Sequence, residues 1–159
     1  VVSDWNARAR TALPAALTGA GLVVVAVGMF LPWLRSGAVL RDSFQVVGVI
    51  TTLGFLRGQA LELVLRAWFA IIPAITLSVV LYALGFRRSG ATLGAAIAII
   101  TGTVSGGATV ESGGDDGPLG IAATGPATTL TGSVLAVLGA VLIVVNGRGG
   151  TRRNAGGEP

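Results

Sequence analysis

The stretch LPAALTGAGLVVVAVGMFLPW, residues 13–33, decides the class of this protein. It carries no charged side chain over about 20 residues, the length that crosses ~30 Å of hydrocarbon as a helix. Three further apolar runs follow at 67–86, 90–110 and 126–146, separated by turns that carry Arg. The pattern predicts an all-α integral membrane protein, a four-transmembrane-helix bundle with a small structured outer loop over 34–66. That loop reads as a short hairpin plus an amphipathic helix. Residues 1–12 and 147–159 are then cytoplasmic segments flanking a transmembrane domain at 13–146.

Composition points the same way. Hydrophobic residues make up 52% of the chain and charged residues 11%, against about 25% charged in soluble domains. The 25 glycines suit membrane helices that pack backbone to backbone. No cysteine is present, which excludes disulfides and thiolate metal sites. All 11 basic residues are Arg, and this Arg-only, Ala/Gly/Val-rich usage points to a high-GC bacterial genome. Arg8 and Arg10 before the first run invite a signal-peptide reading. The run exceeds a signal-peptide core and no small-x-small cleavage site follows Trp33, so a retained span is expected.

Arg placement sets the expected orientation. With the N-terminus cytoplasmic, Arg8, Arg10, Arg87, Arg88, Arg148, Arg152 and Arg153 lie inside, and Arg35, Arg41, Arg57 and Arg66 outside. That split favours both termini in the cytoplasm of a bacterial inner membrane. Arg87, Arg88, Arg148, Arg152 and Arg153 would meet anionic lipid headgroups, at about 1 kcal/mol each near the surface. Their plainer role is to anchor topology.

The second span begins above the bilayer. Leu61, Leu65, Trp68 and Phe69 recur at helical spacing, with Trp68 at the interfacial belt and Glu62 paired to Arg66 at i, i+4. Pro73 leaves the Phe69 carbonyl without a donor, so a kink is expected there. In the third span Gly90, Gly94, Ala98, Gly102 and Gly106 recur every four residues. Thr128, Gly132, Ala136 and Ala140 repeat the interval in the fourth, so these two helices are expected to pack closely as a hairpin. Thr101, Thr103, Ser105 and Thr109 make the third span's outer half polar, and it is expected to end early. Pro126 suits the first position of the last helix. Asp115-Asp116 lies in a glycine-rich turn and reads as a solvated acidic loop rather than a metal site.

In the outer loop, Ser36-Gly37 reads as a turn between extended segments 33–35 and 38–41. Ser43 is a candidate N-cap and Gly54 a candidate C-cap for a helix whose one face carries Val46, Val49, Ile50 and Leu53. A strand over 44–52 is the competing reading, given its β-branched residues. Caps and spacing together favour the helix. Trp33, Phe44, Val46, Val49, Ile50 and Leu53 are the candidate partner interface, because an apolar segment outside lipid needs something to cover it.

Leu31-Pro32-Trp33, Ser36-Gly37, Arg41-Asp42-Ser43-Phe44 and Leu53-Gly54 together resemble a group of small four-helix membrane proteins of actinobacteria. The organisation is also similar to claudins, with a Trp closing span one (Trp33) and an Arg entering span two (Arg66). The claudin cysteine pair is absent, and Gly54-Phe55-Leu56 stands where Gly-Leu-Trp is expected. Some actinobacterial proteins of this build are similar to accessory subunits of mammalian-cell-entry type lipid importers. The resemblance therefore implies membership in a large envelope assembly.

Two functions are in competition. One is a non-catalytic accessory or scaffolding subunit of a larger integral membrane complex. The other is an oligomeric carrier or pore for a lipid or small amphiphile, against which stands the lack of a charged residue at mid-membrane in any span. Without His, Cys or Lys, few nucleophile–base pairs remain, and no enzyme is expected. Cofactor and nucleic-acid partners are not expected either; membrane lipids are.

Overall fold

The computed structural model describes residues 2–53, 59–111 and 119–153, with side chains over 12–52, at 63, and over 65–110 and 120–145. Along the chain run α1 (Val2–Phe30), β1 (Leu34–Ser36), β2 (Val39–Arg41), α2 (Ser43–Leu53), α3 (Gln59–Phe69), α4 (Ile71–Ala83), α5 (Arg87–Glu111), β3 (Leu119–Ile121) and α6 (Thr124–Arg153). Three of the described helices are long and apolar enough to cross a membrane, at Ala12–Phe30, Arg87–Val110 and Thr124–Val145. The protein is thus of the all-α membrane class.

The expected second span, 67–86, is not one continuous helix. α3 stops at Phe69 and α4 has 13 residues, about 20 Å of helix, short of the ~30 Å of a bilayer core. Pro73 is the cause, since it offers no N–H to the Phe69 carbonyl. The chain tightens instead: the Ala70 N–H donates to Ala67 O at 3.0 Å, and Ala74 N–H restarts the ladder on Ala70 O at 2.9 Å. Pro73 thereby falls in the first turn of α4, where a missing donor costs little.

α5 does not end early. It continues to Glu111 because its hydroxyls turn inward to their own helix: Thr103 donates to Ile99 O, Ser105 to Thr101 O and Thr109 to Gly106 O. α6 starts at Thr124, so Pro126 lies within the first turn rather than at its first position.

The four longer apolar helices form a ring in the order α1, α6, α5, α4, with neighbours antiparallel. α1 and α6 share the most extensive interface, and α1 and α4 touch only sparsely. Pro14, Thr18, Gly21, Val25 and Gly28 of α1 face Thr129, Gly132, Ala136 and Gly139 of α6, both sets spaced alternately by four and three. A Cβ on Gly132 would sit 2.6 Å from Val25 N and 2.7 Å from Gly21 O, so the backbones themselves are in contact. A Cβ on Gly28 would overlap Thr129, whose fully buried Oγ1 has no partner among the described residues.

This corrects the expected pairing of the small-residue stripes. Gly132 and Ala136 pack on α1 rather than on α5. On α5, Gly90 lies against Ser78 O and Tyr82 N of α4, Gly94 against Ser78, Leu22 and Thr18, and only Gly102 and Gly106 face α6, through Ser133 and Leu130. Ala98 is buried in the core between them. A helix advances ~400° in four residues, so a strict four-residue stripe drifts by about 40° per step. From Gly90 to Gly106 it turns from one neighbour to the next. Alternating three and four drifts only ~20° per heptad and stays on one partner.

Polar fastening complements this packing. The Ser78 hydroxyl donates to Gly90 O at 2.8 Å, tying α4 to α5. Thr101 and Ser133 hydroxyls lie 3.0 Å apart between α5 and α6, and Thr101 Oγ1 is also 2.9 Å from Ile97 O. Thr101 donating to its own helix leaves Ser133 to donate across.

Candidate functional site

At one end of the bundle the connections build a cap. β1 pairs antiparallel with β2 and also with β3, giving the sheet order β2-β1-β3. The hairpin turn is one residue later than the sequence suggests. Ser36 pairs with Val39, so Gly37 and Ala38 form a two-residue loop, with Gly37 at φ +59°. Positive φ at the first loop position alone is the type II′ pattern, whose twist matches that of the strands. β3 has no counterpart in the sequence reading; three residues are too few to show alternation.

Trp33 is the centre of the cap. Its N–H donates to Arg41 O at 2.8 Å, its O accepts from Ala122 N–H at 3.0 Å, and its Nε1–H donates to Gly28 O at 2.9 Å. The neighbouring Pro32 O accepts from Gly125 N–H at 2.9 Å. A Cβ on Gly125 would overlap the Trp33 indole, so glycine is required there. The indole meets Trp68 edge-on, with centroids 6.0 Å apart at 82°. Trp68 Nε1–H reaches Ser43 Oγ at 3.4 Å, and the Ser43 hydroxyl donates to Met29 O at 2.8 Å. Four parts of the chain, the end of α1, the sheet, α2 and α3, are thereby fixed to one another.

The 43–53 segment is a helix, but its cap is Asp42. The Asp42 carboxylate accepts from Gln45 N–H at 2.9 Å, which frees Ser43, the expected N-cap, for Met29. Gly54 lies outside the described residues, as do Phe55, Leu56, Arg57 and Asp115-Asp116.

The candidate interface divides in two. Trp33 is 8% exposed and belongs to the core. Phe44 and Val46 pack against that core, with Phe44 between Phe30 and Phe69 at ring distances of 5.3 and 5.6 Å. Val47, which lies off the face of Val46, Val49, Ile50 and Leu53, is the buried anchor of α2. Val49 and Ile50 are half-exposed, and the Leu53 side chain lies outside those described. The hairpin faces outward, with Val39 53% and Leu40 52% exposed, beside a shallow groove of Arg41, Gln45, Gly48, Val49 and Thr52. Trp33 is therefore removed from the docking surface, because burial in the protein's own core leaves nothing for a partner, whereas Phe44 and Val46 are half-buried like Val49 and Ile50.

The opposite end of the bundle brings together the start of α1, the turn between α4 and α5, and the end of α6. Arg87 and Arg88 are exposed there; the side chains of Arg148, Arg152 and Arg153, and of Glu62, lie outside those described. Between α1 and α4, towards this end, the ring leaves a cavity of about 190 Å³. Among the described residues no cluster of acidic side chains is suited to a metal ion. No family model, curated protein or solved structure matches this chain.

Proposed function

We propose that this protein is a non-catalytic accessory or scaffolding subunit of a larger integral membrane complex of the bacterial cell envelope. A lipid importer of the mammalian-cell-entry type is one such assembly. The observation that carries the reading is the cap: a hairpin and helix held rigidly by Trp33, Trp68 and Ser43, with Val39 and Leu40 exposed beyond the bundle. A rigid apolar tip loses little freedom on docking and so suits a partner protein.

The test is co-purification from native membranes. Leu40→Asp combined with Val49→Asp should detach the protein from its assembly. Losing one central contact of about 2 kcal/mol weakens binding roughly 30-fold. The isolated variant should melt like the parent, because neither side chain is in the core. A second reading, a carrier for a lipid or small amphiphile, is favoured by the α1–α4 cavity. It takes over if no larger partner is bound and purified protein moves lipid between vesicles.

In this reading α3 and α4 together make a fourth crossing, since Trp68 is at the cap and Tyr82 near the basic end. Both termini then lie in the cytoplasm, the side favoured by Arg. In this cysteine-free chain, Ala38→Cys on the hairpin should react with an impermeant thiol reagent on spheroplasts, and Ser89→Cys only after permeabilisation. The reverse pattern inverts the orientation.

A further inference from the structure

We propose that the cleft between α1 and α4 holds an acyl-chain segment of an anionic phospholipid whose phosphate is bound by Arg87 and Arg88. The site rests on neither reading of the protein's wider role. Its walls come from three helices: Thr18, Gly19 and Leu22 of α1, Ser78 and Tyr82 of α4, and Gly90 of α5. The two hydroxyls on its inner walls, Thr18 and Ser78, are already spent. Thr18 donates to Pro14 O at 2.9 Å and Ser78 to Gly90 O at 2.8 Å, which leaves methyl and methylene surface facing the space. A cavity of about 190 Å³ is somewhat larger than the ~150 Å³ apolar cavity that takes up benzene. That volume admits several methylenes of a chain, and not a helix about 10 Å across.

Charge identifies the headgroup. Arg87 and Arg88 open α5, one turn from Gly90 in the cavity wall, and both are exposed. Cations in the first turn oppose the helix dipole, and no acidic residue balances them there. A phosphate at this point would meet two guanidiniums and the unpaired N–H groups of the first turn together. Tyr82, half-buried at the same level, has the amphipathic ring that sits at headgroup depth. Basic pockets between helices at the membrane surface are the usual sites for anionic headgroups.

The full chain, purified in neutral detergent and stripped of lipid, is incubated with phosphatidylglycerol or phosphatidylcholine of identical chains and examined by native mass spectrometry. One phosphatidylglycerol per chain should be retained, with a preference of about tenfold over phosphatidylcholine, the ratio that ~1.4 kcal/mol produces. Arg87→Gln with Arg88→Gln should erase the preference while leaving weak retention of both lipids. Gly19→Leu should lower retention of both about tenfold. A side chain at Gly19 begins in open space, so this variant should keep the parent's melting temperature. Glycerol phosphate without acyl chains should raise the melting temperature of no variant. Equal retention of the two lipids by the parent, unchanged retention by Gly19→Leu, or a second copy of the chain found in the cleft would each overturn the proposal.

Discussion

Gly132→Leu should abolish the folded bundle. The new side chain begins within 2.6–2.7 Å of Val25 N and Gly21 O, and backbone atoms in the middle of a helix cannot move aside one at a time. α1 and α6 would have to separate along their length, at a cost of about 3 kcal/mol or more, the upper range for overpacking. Gly102→Leu should be milder, because its nearest neighbour is the Ser133 Cβ at 3.0 Å, with no backbone atom of α6 within 4 Å, so a shift of a few tenths of an ångström makes room. Gly107→Leu, with nothing within 4 Å, should leave stability unchanged. Thermal unfolding of the three variants in one detergent checks the order. If Gly102→Leu proved the most damaging, the α5–α6 contact would be the principal one after all.

That order shows how much of the packing was legible. The glycine content and the spans at 13–33, 90–110 and 126–146 are visible in the sequence, since hydropathy and length need no tertiary information. The partners of the stripes are not. Gly90 to Gly106 stands out by its strict interval, yet that same interval makes it wind around α5. The weaker pattern at Thr18, Gly21, Val25 and Gly28 includes a valine and a threonine, so it is easily passed over. Its alternation of four and three is the signal that could have identified it.

Trp33→Ala should loosen the cap and destabilise the whole protein by about 3–5 kcal/mol, the range for emptying a buried Trp site. The edge contact with Trp68, the Nε1–H bond to Gly28 O and the filling against Gly125 disappear together. Trp33→Phe retains a ring against Trp68 and should cost less, about 1–2 kcal/mol, mainly through the Gly28 carbonyl left without its donor. Thermal melting, with Trp68 fluorescence read in a Trp5→Phe background, reports this. A Trp33→Ala variant as stable as the parent would mean the cap is held by its strands alone.

The cap was partly legible. Both the hairpin and the helix at 43–53 follow from local chemistry: Gly37 at a turn and an apolar face at helical spacing. The side of α2 that turns inward does not follow, because it depends on Met29 O offering a site for Ser43 and on Trp68 arriving from far along the chain. Trp33 reads from sequence as an interface anchor because a Trp at the end of a span looks exposed. The β3 pairing that encloses it comes from residues 119–121, which show no pattern of their own. Long-range contacts made by short segments leave the faintest trace in a sequence.

The α1–α6 contact also sets a timetable for biogenesis. α1 leaves the ribosome well before α6, and the surface that Gly21 needs, around Gly132, follows more than 100 residues later. At about 5–20 residues per second the delay is on the order of 5–20 s. During that interval α1 sits in the membrane with its smooth face open to any small-residue helix nearby. The translocon, a chaperone or a partner subunit must shelter it until α6 arrives, and a chain cut short before α6 is a ready target for membrane proteolysis.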